Sequence, residues 1–259
     1  MKKIFLSLFT VLIMLSSMAN AFKPKRAYYQ ITVYHVANAT QMASVDNYLQ
    51  TALIPALHRA GIAKIGVFKP IANDTALDKK IFVFIPFKTI DQIDKIDGSI
   101  WKDEQHLKDG AAYLEAPYNQ TPFVRKEAIL LKAYEMMPDF AAPKITGTAA
   151  ERVYELRSYE GPTEKMYRKK VEMFNAGGEV ALFIRLNFNA IFYGEVLAGA
   201  RMPNLMYMTS FNNMDDRNAH WKTFSADPEW KTLSGMAQYK NTVQRNETIL
   251  CHATEYSEL

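Results

Sequence analysis

The sequence predicts an α+β fold in which one strand-helix-strand-strand-helix-strand unit is used twice. Three observations predict it. Arg125-Lys-Glu127-Ala-Ile129-Leu130-Leu131 returns 120 residues later as Arg245-Asn-Glu247-Thr-Ile249-Leu250-Cys251. Tyr29-Gln-Ile31-Thr-Val33-Tyr34 lines up with Tyr154-Glu-Leu156-Arg-Ser158-Tyr159 at an offset of 125, and a strand ending at Phe87 lines up with one ending at Phe211 at an offset of 124. Within each copy the apolar period changes between two and about 3.6 in the same order, as a repeated supersecondary unit requires.

The first copy opens with an alternating strand rich in Tyr and Val at 27–36. A helix follows at 40–59, where Met42, Val45, Leu49, Leu53 and Ala56 share one face. Pro55 removes a backbone donor inside that helix, and Gly61 is a natural stop. Two strands, 63–71 and 80–87, flank a loop at 72–79. Helical segments occupy 89–114, and the last strand runs 123–135. The stretch 136–150, with two Pro and one Gly among small residues, reads as a linker.

The second copy repeats the order: strand 152–160, helix 163–176, strands 188–197 and 204–212, helices 214–237, strand 243–255. Its helix starts are marked chemically. Thr163 follows Pro162 as a cap, Asn213 precedes Asp215 and Asp216, and Asp227-Pro228-Glu229 sets a cap, a first-turn Pro and a first-turn acid in sequence. Gly177-Gly178 reads as the cap of the preceding helix. This order is that of a ferredoxin-like βαββαβ unit, an antiparallel sheet with both helices on one face. Two such units, 22–135 and 151–259, are expected to cover their bare sheet faces by packing sheet to sheet as an intramolecular α/β barrel.

Composition bounds the function. The chain has 259 residues, 49% hydrophobic and 22% charged, which describes a folded globular protein. Residues 1–21 carry Lys2 and Lys3, an apolar run of about a dozen residues that is too short to span a bilayer, and Ala19-Asn-Ala21; this is a signal peptide with cleavage expected after Ala21. The mature chain is then expected to be secreted or periplasmic, with no membrane span. Without the two leader lysines, the excess of basic over acidic residues falls from four to two. So small an excess argues against nucleic-acid binding, which needs a clustered basic face. The single Cys251 lies in what reads as a strand interior, where a free thiol behaves as a small hydrophobe. Asn38, Asn73, Asn119 and Asn246 each begin an Asn-x-Thr tripeptide, a pattern that also arises by chance.

Strand alternation puts Glu155, Arg157 and Tyr159 on one face and Tyr154, Leu156 and Ser158 on the other. If the apolar set packs on the helices, the polar set points between the sheets, where Arg125, Glu127, Arg245 and Glu247 could join it. Gln30, Thr32 and Tyr34 are the polar counterparts in the first copy. Such residues either line a ligand site or pair across strands. Arg157 is the first candidate for carboxylate or other anion recognition because its planar fork suits that geometry. Tyr159 and Tyr207 could donate to a bound ligand. None of the five histidines is spaced as a metal pair, and no nucleophile elbow or Gly-rich phosphate loop occurs. No catalytic residue, metal ligand or cofactor site is therefore assigned. Trp221, Phe224, Trp230, Leu233 and Met236 read as a core-packing stripe, and Lys165, Arg168, Lys169 and Lys170 as a solvated basic helix face.

Val153-Tyr-Glu-Leu-Arg157-Ser-Tyr159, Leu205-Met-Tyr-Met-Thr-Ser-Phe211, Asp215-Asp-Arg217 leading through Trp221 to Asp227-Pro-Glu-Trp230-Lys, and Glu247-Thr-Ile-Leu250 together resemble the NIPSNAP family over residues 152–259. The first half departs from that pattern. Gln30 and Thr32 replace the acid and the arginine, and the Asp-Pro-Glu-Trp element is missing, so it reads as a divergent copy. The resemblance implies the dimeric α/β barrel superfamily, which also holds cofactor-free monooxygenases, isomerases and haem enzymes, but it implies no settled reaction. In distant members of that superfamily a haem or aromatic substrate binds beside the helix that here carries His220 and Trp221, which keeps His220 as a candidate ligand contact. The expected function is a ligand- or protein-binding module taking a small hydrophobic ligand or a protein partner, as a monomer or homo-oligomer. The alternative is a cofactor-independent monooxygenase or isomerase acting on a small hydrophobic molecule.

Overall fold

A computed structural model describes residues 25–259. The predicted leader lies outside the described residues. The first half runs β1 (Tyr28–Val36), α1 (Ala39–Tyr48), a π-helical turn (Leu49–Leu53), α2 (Ile54–Arg59), β2 (Gly66–Pro70), β3 (Lys79–Phe87), α3 (Asp91–Ile100), α4 (Glu104–Asp109), α5 (Ala111–Leu114) and β4 (Arg125–Ala133). The second runs β5 (Val153–Glu160), α6 (Glu164–Phe174), α7 (Glu179–Arg185), β6 (Asn189–Ala198), β7 (Asn204–Phe211), α8 (Met214–Ala226), α9 (Pro228–Gly235) and β8 (Arg245–Ala253). No described helix is long and apolar enough to cross a membrane.

The strands close into one antiparallel barrel in the order β1-β3-β2-β8-β5-β7-β6-β4. Each half contributes four neighbouring strands, β4-β1-β3-β2 and β8-β5-β7-β6, in the same relative order. The registers match as well: Tyr28 faces Phe87 in one half and Val153 faces Phe211 in the other. Where the sequence suggested two sheets laid face to face, the structure hydrogen-bonds their edges too. β2 pairs with β8 through Phe68–Ala253, and β4 pairs with β6 through Ala133–Gly194. Closure satisfies edge groups that two separate sheets would leave open.

Local chemistry sets the helix ends. Asn38 accepts from the Gln41 backbone N–H at 2.9 Å, Thr163 from that of Met166 at 3.3 Å, and Asn213 from that of Asp216 at 2.9 Å. Gly61 ends α2 with φ +92°, a left-handed conformation that favours glycine. Pro55 sits in the first turn of α2, directly after the π-helical turn, so its missing donor falls where the α-helical ladder is already interrupted.

Three cores result. Helices of the first half bury Val45, Leu49, Ile85 and Ile96 against one outer wall of the barrel. Helices of the second half bury Phe174, Phe183, Phe211 and Phe224 against the opposite wall. The barrel lumen holds the third core, which includes Tyr29, Phe68, Phe84, Tyr154, Phe192 and Cys251. The 136–150 stretch is more than a linker. Ala27 and Ala141 backbone N–H groups donate to Pro138 O at 2.7 Å and Ile191 O at 2.9 Å, Ile145 is buried, and the Phe140 ring meets Phe84 edge-on at 6.0 Å. That segment therefore covers one end of the lumen.

Candidate functional site

The alternation in β5 holds, but its two sets face opposite to the expectation. Tyr154 and Leu156 point into the lumen, while Glu155, Arg157 and Tyr159 point outward beneath α6, α7 and α8. The reason is physical. Both faces of a barrel strand are covered here, one by the lumen and one by helices, so polarity does not tell which face is inside. Arg125, Glu127 and Glu247 do face the open end of the lumen, and they stand apart from the β5 set.

Beneath the helices lies a cleft of about 350 Å³ lined by Arg157, Tyr159, Lys170, Glu179, Tyr207, Arg217, Trp221 and Trp230. Behind Arg157, Arg217 and Trp221 sits Glu155, which is 0% exposed. Its carboxylate accepts from Arg157 Nε at 2.6 Å, Arg217 Nε at 2.8 Å, Arg217 Nη2 at 3.0 Å and Trp221 Nε1 at 2.7 Å. Burial alone would raise this carboxyl. The Arg217 hydrogen bond and the Arg157 charge outweigh burial and hold it below the usual carboxylate range.

Arg157 is clamped on three sides. Its guanidinium lies 3.8 Å from the Trp221 ring centroid, a cation-π stack. Its Nη1 donates to the Tyr159 hydroxyl at 2.9 Å, which in turn shares a hydrogen bond of 3.0 Å with the Tyr207 hydroxyl. Burial opposes the Arg157 charge, but Tyr207, Tyr159 and Glu155 more than compensate and strengthen it. Burial also pushes the Tyr207 hydroxyl well above its ordinary range, so that it stays protonated and able to donate.

A second ion pair closes the cleft. Lys170 Nζ donates to Glu179 Oε2 at 2.8 Å, with the Phe174 ring 4.7 Å and the Trp230 ring 5.7 Å from the ammonium. Burial raises the Glu179 carboxyl, and the Lys170 charge only partly offsets it. Three cations, Arg157, Lys170 and Arg217, thus stand against two carboxylates, one of them pushed toward its neutral form. Among the described residues at the cleft, the cations exceed the carboxylates by at least one charge.

Four of the residues singled out in the sequence, Glu155, Arg157, Tyr159 and Tyr207, converge here. His220 does not line the cleft. Its Nδ1 lies 2.8 Å from Asp216 O, and its ring packs edge-on against Phe188 and Phe211. Three site residues escaped the sequence reading. Lys170, placed there on the solvated face, is 6% exposed. Its position three and four residues before buried Met173 and Phe174 was the available signal. Glu179 belongs to α7, where no element was expected, and Arg217 carried no role. In the expected core stripe, Phe224 and Leu233 are buried, but Met236 lies beyond the end of α9 and is 41% exposed. Among the described residues no group of His, Cys, Asp and Glu could hold a metal ion.

The whole barrel is similar to a protein of Lactobacillus acidophilus NCFM described provisionally as a monooxygenase (TM-score 0.57, 10% identity, 88% of this chain and 94% of that one). It is also similar to an anthrone oxidase-like protein (TM-score 0.54, 8% identity, 88% and 92%). At these identities the likeness is one of fold: an α+β protein built on a closed eight-stranded antiparallel barrel. Residues 154–258, which contain every residue of the cleft described above, match the NIPSNAP family model. A NIPSNAP family protein of Agrobacterium tumefaciens aligns with 42% of this chain over 98% of its own length at 18% identity (TM-score 0.38). No curated protein sequence matches the chain.

Proposed function

We propose that the protein is an exported binding module whose NIPSNAP half takes a small aromatic monoanion in the cleft between sheet and helices. The unbalanced positive charge around Arg157 carries this reading. Glu155 is saturated by four donors, so a ligand carboxylate or phenolate would be drawn to the remaining guanidinium and hydroxyl donors, while Trp221, Phe224 and Trp230 offer ring faces to its apolar body. Export rests on the leader sequence. In the same reading the chain is a tandem of two ferredoxin-like units, 22–135 and 151–259, with the first divergent; the shared strand order and register support it.

Calorimetric titration of residues 22–259 with 2-naphthoate and with 2-naphthamide tests the site. The acid is expected to bind at least about tenfold more tightly, a difference of roughly 1.4 kcal/mol, and Arg157→Met to abolish that preference. Equal affinity for acid and amide, or a preference that survives in Arg157→Met, sinks the reading.

A second reading is favoured by the Arg157-Tyr159-Tyr207 chain, which places a cation and two hydroxyls where an enolate oxygen would sit. In this reading the cleft holds an electron-rich aromatic ketone such as anthrone. Loss of a proton from its methylene carbon gives a carbanion stabilised by the cleft charge, and reaction with O2 converts that carbon to a carbonyl with release of water. An oxygen electrode decides. Saturable O2 consumption with anthrone that falls at least about a hundredfold in Tyr207→Phe supports catalysis; consumption no faster than in buffer rejects it.

A further inference from the structure

The lumen is filled at one end and open at the other. Inward positions along β1, β5 and β6 change character midway. At the covered end they are aromatic, with Tyr29, Phe84, Tyr154 and Phe192 packed ring on ring: Tyr29 and Phe84 centroids lie 5.1 Å apart, Phe84 and Phe192 5.0 Å. Toward the other end β1, β5 and β6 present Val33, Leu156 and Val196, β4 and β8 add Ile129 and Ile249, and Phe82 and Met206 complete the wall. Together these side chains leave a well of about 410 Å³, within the range of small-ligand pockets. The well shares no lining residue with the naphthoate cleft.

The rim defines what the well accepts. Asp78 meets His35 at 2.7 Å and Lys80 at 3.2 Å, Glu127 meets Arg125 at 2.7 Å, and Glu247 meets Arg201. Three carboxylates thus balance the three fixed cations, so an ion of either sign gains no net attraction on entering. Below the rim, Ser158 and Asn204 are 5% and 3% exposed. Asn204 Nδ2 donates to Ser158 Oγ at 2.9 Å, and the hydroxyl returns a hydrogen bond to Asn204 Oδ1 at 3.2 Å. A serine oxygen has two lone pairs and an amide nitrogen two hydrogens. One acceptor site and one donor therefore remain free on this pair.

We propose that the open half of the lumen is a second binding site, for an uncharged molecule with an apolar body and one hydroxyl-type head. The body fills the apolar well and the head meets the Ser158–Asn204 pair. The site stands independently of the cleft, and either can fail without the other.

The test is titration of residues 22–259 at pH 8 with 1-octanol, 1-nonanol and 1-decanol, and with decanoate and decyltrimethylammonium as charged matches. Affinity is expected to rise about fourfold per methylene along the alcohols while the well fills, and decanol to bind more tightly than either ion. Val196→Trp, which fills the well, is expected to weaken decanol at least tenfold. Ile249→Phe, a smaller intrusion, keeps the test valid if the tryptophan variant loses its cooperative thermal transition. Tighter binding of decanoate or decyltrimethylammonium overturns the ligand class. No alcohol binding, or affinity unchanged in a folded filling variant, overturns the site.

Discussion

Glu155→Gln removes one charge and almost no volume, and its consequences follow from the bonds that Glu155 accepts. The carboxylate is fully buried and receives four hydrogen bonds from two arginines and an indole. A glutamine can present only one oxygen to these donors, and its amide hydrogens must face at least one of them. Removing one partner of a buried ion pair costs about 3–5 kcal/mol. Arg157 and Arg217 keep 17% and 20% of their side-chain surface in contact with water, which lowers the expectation to about 2–4 kcal/mol. For a chain of this size that is a fall in Tm of roughly 5–15 °C. The pH dependence follows from the depressed carboxyl. Stability from a lowered carboxyl pKa is present above the unfolded value, about 4.3, and is lost as pH falls through the folded value. The gap in Tm between wild type and Glu155→Gln should therefore be widest at neutral pH and shrink between pH 4 and pH 2. Thermal unfolding followed by circular dichroism across that range measures it. A variant within 0.5 kcal/mol of wild type at pH 7, or a gap that widens in acid, would refute the charge assignment.

Three further expectations follow. Lys170→Met leaves Glu179 buried without its cation, which raises an already raised carboxyl; stability held by a raised pKa is lost as pH rises through the folded value, so the variant should lose about 2–4 kcal/mol more at pH 8 than at pH 5 by denaturant titration. His220→Ala should change 2-naphthoate affinity less than twofold by calorimetry, because the ring packs on Phe188 and Phe211 and not into the cleft. Cys251 is 0% exposed in the lumen and its thiol is pushed up by burial. A colorimetric thiol reagent should find about one thiol per chain in denaturant and essentially none in the native protein.

What the sequence disclosed and what it concealed divide along physical lines. The strands were legible because their apolar period of two is clear, and two of the strand pairs are now seen as Tyr28 facing Phe87 and Val153 facing Phe211. Helix starts of the second half were legible because Thr163, Asn213 and Asp227 act through short local bonds to backbone N–H groups. Facing was not. In β5 the period of two separates Glu155 from Leu156, but lumen and helix layer bury them equally, at 0% and 2% exposure, so no contrast of polarity marks inside from outside. Helix α7 was concealed because Gly177-Gly178 ended the preceding pattern, and Val180-Ala-Leu-Phe-Ile184 is a continuous apolar run without helical contrast. Glu179 was lost with it. The convergence of Arg217 on Glu155 joins residues 62 apart in sequence, a contact that no local pattern encodes.

The central claim is that the positive cleft of the NIPSNAP half, and not the barrel lumen, holds an aromatic anion. A crystal of residues 22–259 grown with 6-bromo-2-naphthoate tests it directly through the anomalous signal of bromine. The account predicts one strong peak beside Trp221 and Trp230, with the carboxylate on Arg157. A peak in the lumen above Leu156, or none in the cleft at saturating ligand, would contradict it.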